Sequence, residues 1–286
     1  MWAAVEFSRG LKEFHGRNRS SLIRAAELVL VQAGSSFPRA LGNTFRQAIA
    51  GIFSKTTMQT EKMLDGHVQA TVERCRSSAG ERIIVAQDTT YYNYTGHQAM
   101  NGLGPIQGNI KGCLQHNVLA LDEQGLALGL LDQQNWTRGG LGHPEKESDK
   151  WFKGLSAVNK QLAGVGKAVV LVQDREADIF RFFQAPRATN VDLLVRVHQP
   201  RKVEIVTQRQ VLALQQAAEQ LPQQATMQLE VYRQNRPVLV ELSVRAAPVG
   251  VLPDKDLSAA KHKATGLYLV VAQEINAWDE QGACVF

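Results

Sequence analysis

Cysteine is scarce in this 286-residue chain: Cys75, Cys113 and Cys284 stand far apart and make an odd count. That spacing excludes a thiolate metal cage or a disulfide framework and fits a reducing compartment where thiols stay free. Long apolar runs are missing as well. No stretch reaches the roughly 18 consecutive apolar residues of a membrane-spanning helix. The first residues carry no apolar run with a cleavage site, so a cytoplasmic chain without a membrane partner is the expectation. Low-complexity tracts are absent. With 44% hydrophobic and 21% charged residues, the chain can bury a core, which argues against wholesale disorder.

Charge is present but unevenly placed. The formal net charge is +5, and residues 1–79 hold eleven Lys and Arg against six Asp and Glu, which accounts for the whole excess. A basic end beside a nearly neutral body points to a nucleic-acid-binding module joined to another domain, or to a solvated helical face.

The basic segment reads as helical. Ser20 or Ser21 is placed to cap a helix through Leu22, Ile23, Ala26, Val29 and Leu30, ending near Gly34. Pro38 suits the first turn of a second helix carrying Leu41, Phe45, Ala48, Ile49 and Phe53. A third follows from about Thr57 to Arg76. Two helices joined by a short link and carrying Arg17, Arg19, Arg39 and Arg46 fit a helix-turn-helix-like DNA reader, and equally a small helical bundle.

From residue 80 the pattern changes to strands. Arg82–Gln87, Cys113–Leu121 and Leu126–Gln133 are strand candidates, followed by a helix from Glu145 to Leu162. Lys167–Gln173 is an apolar strand, Glu176–Gln184 a short helix and Asp192–Val197 a fifth strand. The order β-β-β-α-β-α-β fits an α/β sheet with an antiparallel edge. After Pro200 come a helix near Val211–Leu221 and strands near Thr226–Arg233, Val238–Arg245 and Leu267–Gln273, then a turn-like tail over 278–282.

Two motifs follow buried strands: Gln87-Asp88-Thr89-Thr90 and Gln173-Asp174-Arg175-Glu176-Ala177-Asp178. Carboxylates are the hard-oxygen ligands that magnesium takes in phosphodiester chemistry, and they must converge from different strands. Taken singly, Asp88 could begin a turn and Asp174 could cap the next helix. Their placement at the ends of the first and fourth strands, where sites in open α/β sheets lie, favours a shared role. Gly102-Leu103-Gly104 with Gly108 has no helix pattern directly behind it, so it reads as a flexible loop and not a phosphate cradle. His97, His116, His143 and His198 show no zinc spacing and read as structural or DNA-facing. Trp136 and Trp151 read as packing residues.

These two aspartate motifs resemble those of the insertion-sequence-four transposase family. Other segments resemble it in the same order: Gly129-Leu130-Leu131-Asp132-Gln133-Gln134-Asn135-Trp136, Glu145-Lys146-Glu147-Ser148 through Lys150-Trp151, Leu194-Val195-Arg196-Val197-His198 with Pro200-Arg201-Lys202, and Gln273-Glu274-Ile275-Asn276. The resemblance implies a ribonuclease H-like mixed sheet over 80–199, an N-terminal helical DNA-binding domain over 1–79 and a partial β-rich insertion over 200–286. In such a sheet the first and fourth strands are parallel neighbours.

It further implies that Asp88 and Asp174 bind Mg2+ or Mn2+. Arg196, Arg201 and Lys202 would meet DNA near the core, with Arg17, Arg19, Arg39 and Arg46 on transposon ends, and a homodimer would form on paired ends. The chemistry would be in-line phosphoryl transfer: strand cutting, then attack by the freed 3′ hydroxyl. The family's third carboxylate is a Glu within Tyr-x2-Arg-x3-Glu-x6-Lys, and no such motif occurs here; Tyr232, Arg236 and Glu241 have the wrong spacing. Glu176, Asp178 and Glu274 are the candidates to replace it. The expectation is a C-terminally truncated chain, inert alone, with one sheet face left uncovered. Two rivals stay open: a non-catalytic, inhibitory DNA-binding remnant, and a metal-dependent nuclease outside transposition.

Overall fold

The computed structural model describes residues 2–7, 9–12, 14–55, 60–139, 146–253 and 263–275, with residues 60 and 61 in backbone only. Thr57, His143, Glu145, Asn276, the turn 278–282 and Cys284 lie outside the described residues. The chain divides into two compact units: Met1–Ala177 with Ala185–Arg196, and Asp178–Gln184 with Val197–Phe286. The helices before residue 80 therefore cluster with the sheet that follows them and do not stand apart as a separate unit.

In the first unit, α1 (Trp2–Phe7), α2 (Gly16–Val31), α3 (Phe37–Leu41), α4 (Asn43–Phe53) and α5 (Thr60–Ser77) form a helical layer. α2 begins at Gly16, so Ser20 and Ser21 lie inside it and cap nothing. The helix expected after Pro38 is two helices. Gly42 sits at φ 71°, a left-handed conformation that a right-handed helix cannot pass through. Leu11, Leu22, Ala25, Leu41, Ile49 and Ile52 make the core of this layer. It is incompletely filled: an apolar cavity of about 380 Å³ opens beside Trp2, Leu22, Ile49 and Phe53.

The mixed sheet contains β1 (Arg82–Asn93), β2 (Gly104–Gln107), β3 (Ile110–Leu121), β4 (Ala127–Trp136), β5 (Ala168–Gln173) and β6 (Val191–Val195). β3 lies between β1 and β4, antiparallel to both; β1 runs parallel to β5, and β5 parallel to β6. β2 is an added hairpin strand on β3, turned at Gly108 (φ 52°), where the sequence reads as a loop. Gly104 and Gly108 thus serve a hairpin.

The two sheet faces differ. Ile83, Val85, Val118, Ala120, Val169 and Leu171 are fully buried, while Ile84, Ala86, Leu119, Leu121, Val170 and Val172 are only half-buried. Strand alternation separates these two sets onto opposite faces. α6 (Asp149–Leu162) covers the buried face, burying Trp151, Leu155, Val158 and Leu162, each worth about 1.5–3 kcal/mol. The Trp151 ring meets His116 edge to face at 4.8 Å. Gly154 sits against Gln87 so closely that a Cβ there would overlap its carboxamide.

α5 covers the outer edge of β4. Arg74 Nε donates to the Leu128 carbonyl, and the Leu130 amide donates to His67 Nε2 at 2.9 Å. Unpaired edge groups are thereby satisfied by side chains. Glu6 from α1 holds both side chains, the donor Arg74 and the acceptor His67, in place. Its oxygens accept from Arg74 Nη1 at 3.0 Å and Nη2 at 2.9 Å, and sit 2.6 Å from His67 Nδ1. Burial raises the Glu6 pKa, but Arg74 and His67 outweigh it and hold the carboxyl below the ordinary glutamate range.

The second unit is an antiparallel sheet of β7 (Lys202–Ile205), β8 (Gln210–Ala213), β9 (Gln223–Arg233), β10 (Arg236–Val251) and β11 (Thr265–Ile275), with α8 (Leu214–Gln220). Residues 211–213, expected in a helix, instead pair with β7, so α8 starts at Leu214. β10 is the centre: β11 pairs along one edge, while β9 and β7 share the other in succession. A two-residue turn at Gln234 (φ 48°) and Asn235 (φ 61°) joins β9 to β10, as a hairpin with two positive-φ central residues requires.

Candidate functional site

Strand register builds the site. Gln87 on β1 and Gln173 on β5 are Cα partners, and Gln173 is in turn the partner of Val195 on β6. One residue further on each strand stand Asp88, Asp174 and Arg196. On the other side of β1, Asp88 pairs with Asn117 of β3, which pairs with Gln133 of β4. A single row across the sheet therefore reads Gln133, Asn117, Asp88, Asp174, Arg196. The two carboxylates sit at its centre.

Asp88 does not end its strand, as the sequence reading expected. It lies inside β1, which continues to Asn93 because β3 keeps pairing with it. What ends is the parallel neighbour: β5 stops at Gln173, and Asp88 is the first β1 residue beyond that pairing. Asp88 is exposed and Asp174 half-buried. Asp174 Oδ1 accepts from the Glu176 amide at 2.9 Å and opens a 3-10 turn over Arg175–Ala177. One carboxylate thus does local turn work while remaining open to solvent. The helix expected over 176–184 is this turn followed by α7 (Phe180–Phe183).

Beneath the row is a buried polar layer. His116 is fully buried, with Nε2 3.0 Å from Gln87 Oε1 and Nδ1 3.0 Å from Thr89 Oγ1. Burial, aided by the Lys150 charge, pushes its pKa down to about 4. His116 is therefore a neutral structural residue and cannot face DNA. Trp136 and Trp151 are likewise buried.

Oxygen ligands of the kind magnesium or manganese takes are present in Asp88 and Asp174, so the donor type fits. Their number falls short of a closed site: among the described residues, no group of three His, Cys, Asp or Glu converges. The three substitute acids each face a cation. Glu176 pairs with Lys150 Nζ at 2.8 Å, Asp178 with Arg201 Nε at 3.0 Å, and Glu274 with Arg233.

Arg201, expected at DNA, is 6% exposed. Its Nε and Nη2 donate to the Asp178 carboxylate and carbonyl, and the same carboxylate accepts from the amides of His198 and Gln199. A guanidinium enclosed this way holds the chain turn together and is not offered to a phosphate. Lys202 and Arg196 are exposed.

Of the helical arginines, Arg17 and Arg39 are exposed, and Arg19 and Arg46 half-buried. Arg17 and Arg19 lie in the first turn of α2, near Lys55, whose Nζ donates to Asn18. Arg39 follows the far end of α2, a helix of 16 residues and so about 24 Å long.

Asn117 and Gln133 went unnoticed as site residues in the sequence. The available signal was a polar interruption in two otherwise apolar strands, Gln115-His116-Asn117 and Asp132-Gln133-Gln134-Asn135.

No family model matches the chain. Among solved structures it is similar to the piggyBac transposase in a cryo-EM synaptic complex with hairpin DNA. The TM-score is 0.34 and the identity 12%, over 94% of this chain and 50% of that one. The chain thus spans about half the length of that transposase. A likeness this distant fixes neither fold nor chemistry. No helix among the described residues is long and apolar enough to cross a membrane.

Proposed function

We propose that this chain is a DNA-binding protein of the cut-and-paste transposase class, built on a ribonuclease H-like sheet and binding transposon ends. The observation that carries the reading is the register of Gln87 with Gln173, which brings Asp88 and Asp174 side by side past a parallel strand pair. The same pair supports the fold reading, since β1 and β5 are the first and fourth strands of the sheet once the β2 hairpin is set aside. Asp88 and Asp174 would hold a divalent ion, which when bound supplies charge stabilisation to an in-line phosphoryl transfer. Arg196 at the end of their row, Lys202, and Arg17, Arg19, Arg39 and Arg46 would contact phosphates. Arg201 leaves this set because of its burial. A homodimer on paired DNA ends belongs to the same reading.

A second reading, binding without cutting, is favoured by the pairing of Glu176, Asp178 and Glu274 with cations. Each acid that could complete the ligand set is neutralised by a neighbour. These 286 residues would then occupy transposon ends and block an active relative.

Gel shift on duplexes with matched terminal inverted repeats, followed by incubation with Mg2+ or Mn2+, tests both. The expected result is binding that weakens steeply with salt, and no strand cleavage. Absence of binding at low salt would refute the DNA reading. Repeat-specific cleavage lost in Asp174→Ala would overturn the inert reading, and cleavage indifferent to the repeats would indicate a general nuclease.

A further inference from the structure

Beside Asp88, on the same sheet face, four carboxamides close a ring. Gln133 Nε2 donates to Asn117 Oδ1 at 3.0 Å, and Asn117 Nδ2 to Gln115 Oε1 at 3.3 Å. Gln115 Nε2 donates to Asn135 Oδ1 at 2.8 Å, and Asn135 Nδ2 to Gln133 Oε1 at 3.5 Å. Tyr92 adds its hydroxyl to Gln115 Oε1 at 3.0 Å. Asn135 is exposed, and Gln115, Asn117 and Gln133 are half-exposed.

The valences of this ring are informative. Each carboxamide nitrogen carries two hydrogens and the ring uses one of them. Four N–H groups are left on a solvent-facing patch whose acceptors are partly consumed, Gln115 Oε1 twice over. Four such amides are not needed to hold two strands together. Their cross-strand positions are ones that apolar or β-branched residues stabilise equally well.

We propose that this ring is a neutral seat for the phosphates of a DNA strand running past Asp88. The inference rests on the DNA reading above and assigns it a contact surface that carries no charge. A phosphate offers acceptors only, which matches a surface rich in donors, and Asn and Gln side chains are regular phosphate partners. The placement explains the neutrality. Asp88 and Asp174 repel a phosphodiester. Lysines or arginines at Asn117 and Gln133 would pair with Asp88 instead of with DNA, whereas carboxamides donate to phosphate and leave Asp88 open. Arg196, at the other end of the row, is separated from Asp88 by Asp174.

The test compares the wild type with Asn117→Leu/Gln133→Met, substitutions close in shape that remove both donors of the inner row. Affinity for two duplexes of unrelated sequence is measured across salt concentrations. The expected result is binding about five- to tenfold weaker at every salt concentration and for both sequences. The slope of log affinity against log salt should not change, because neutral donors release no counterions. In parallel, the side-chain NH2 signals of Gln115, Asn117, Gln133 and Asn135 in 15N-labelled wild type should shift when either duplex is added. This second measurement decides the question if the variant fails to fold. A wild type that binds DNA with unshifted NH2 signals, or a folded variant that binds as well as wild type, overturns the ring and leaves the DNA reading intact. A loss confined to one sequence overturns the phosphate assignment in favour of base contact. A wild type that binds no duplex removes the DNA reading and the ring with it.

Discussion

Gln87 and Gln173 are register partners on the parallel strands β1 and β5, only 3% and 4% exposed, and each immediately precedes an aspartate. Gln87 meets His116, but its Nε2 has no hydrogen-bond partner among the described residues, nor has either polar atom of Gln173. Alternation along β1 sends Gln87 to the α6 face and Asp88 to the opposite one. A stability cost on one face thus accompanies the acid pair next to it.

Relieving that cost is the first prediction. An unsatisfied buried amide costs about 1–3 kcal/mol, and methionine has nearly the same shape. Gln173→Met should therefore raise the stability of the fold by about 1 kcal/mol in urea denaturation. A loss of similar size would mean that the carboxamide is satisfied by an ordered water.

His116 makes stability depend on pH. Its pKa falls from 6.5 in the unfolded chain to about 4 in the fold, so the unfolded state takes up the proton first. The stability linked to this group is fully present above pH 6.5 and declines as pH falls from there to about 4. The total is about 3 kcal/mol. The imidazole resonances of His116 should stay in their neutral positions down to about pH 5, and a midpoint near 6.5 would contradict the buried network.

Glu6 gives a second acid-labile contact. Its folded pKa is lowered, so its contribution is present above the ordinary glutamate value of 4.5 and is lost as pH falls through the lowered one. Glu6→Gln should destabilise by about 2 kcal/mol at pH 7, since Arg74 and His67 lose a buried anion, and by less at an acid pH below the lowered folded value. Equal destabilisation at both values would show that the carboxylate charge contributes nothing.

Much of this architecture was legible because its signals are local. The apolar run before Asp174 and the α6 stripe of Trp151, Leu155, Val158 and Leu162 belong to segments whose period fixes their type. Their boundaries depended on partners. β1 outlasts its apolar stretch because β3 pairs with it as far as Asn93. Residues 211–213 have a helix-compatible pattern, but β7 recruits them into a sheet. Gly42 was indistinguishable from a tolerated helical glycine until its φ was known. Arg201 looked like a surface cation because Asp178, its partner, lies 23 residues earlier in the chain. The amide ring could not be read at all, since it needs the register of β3 against β4.

The proposal that Asp88 and Asp174 form one divalent-cation site is tested most directly by Mn2+ binding to the 286-residue chain, followed by electron paramagnetic resonance. One weak Mn2+ site is predicted, lost to the same extent in Asp88→Asn and in Asp174→Asn, with the double variant no worse than either single one. Independent losses that add in the double variant, or Mn2+ binding that survives both substitutions, would show that the two aspartates do not act together.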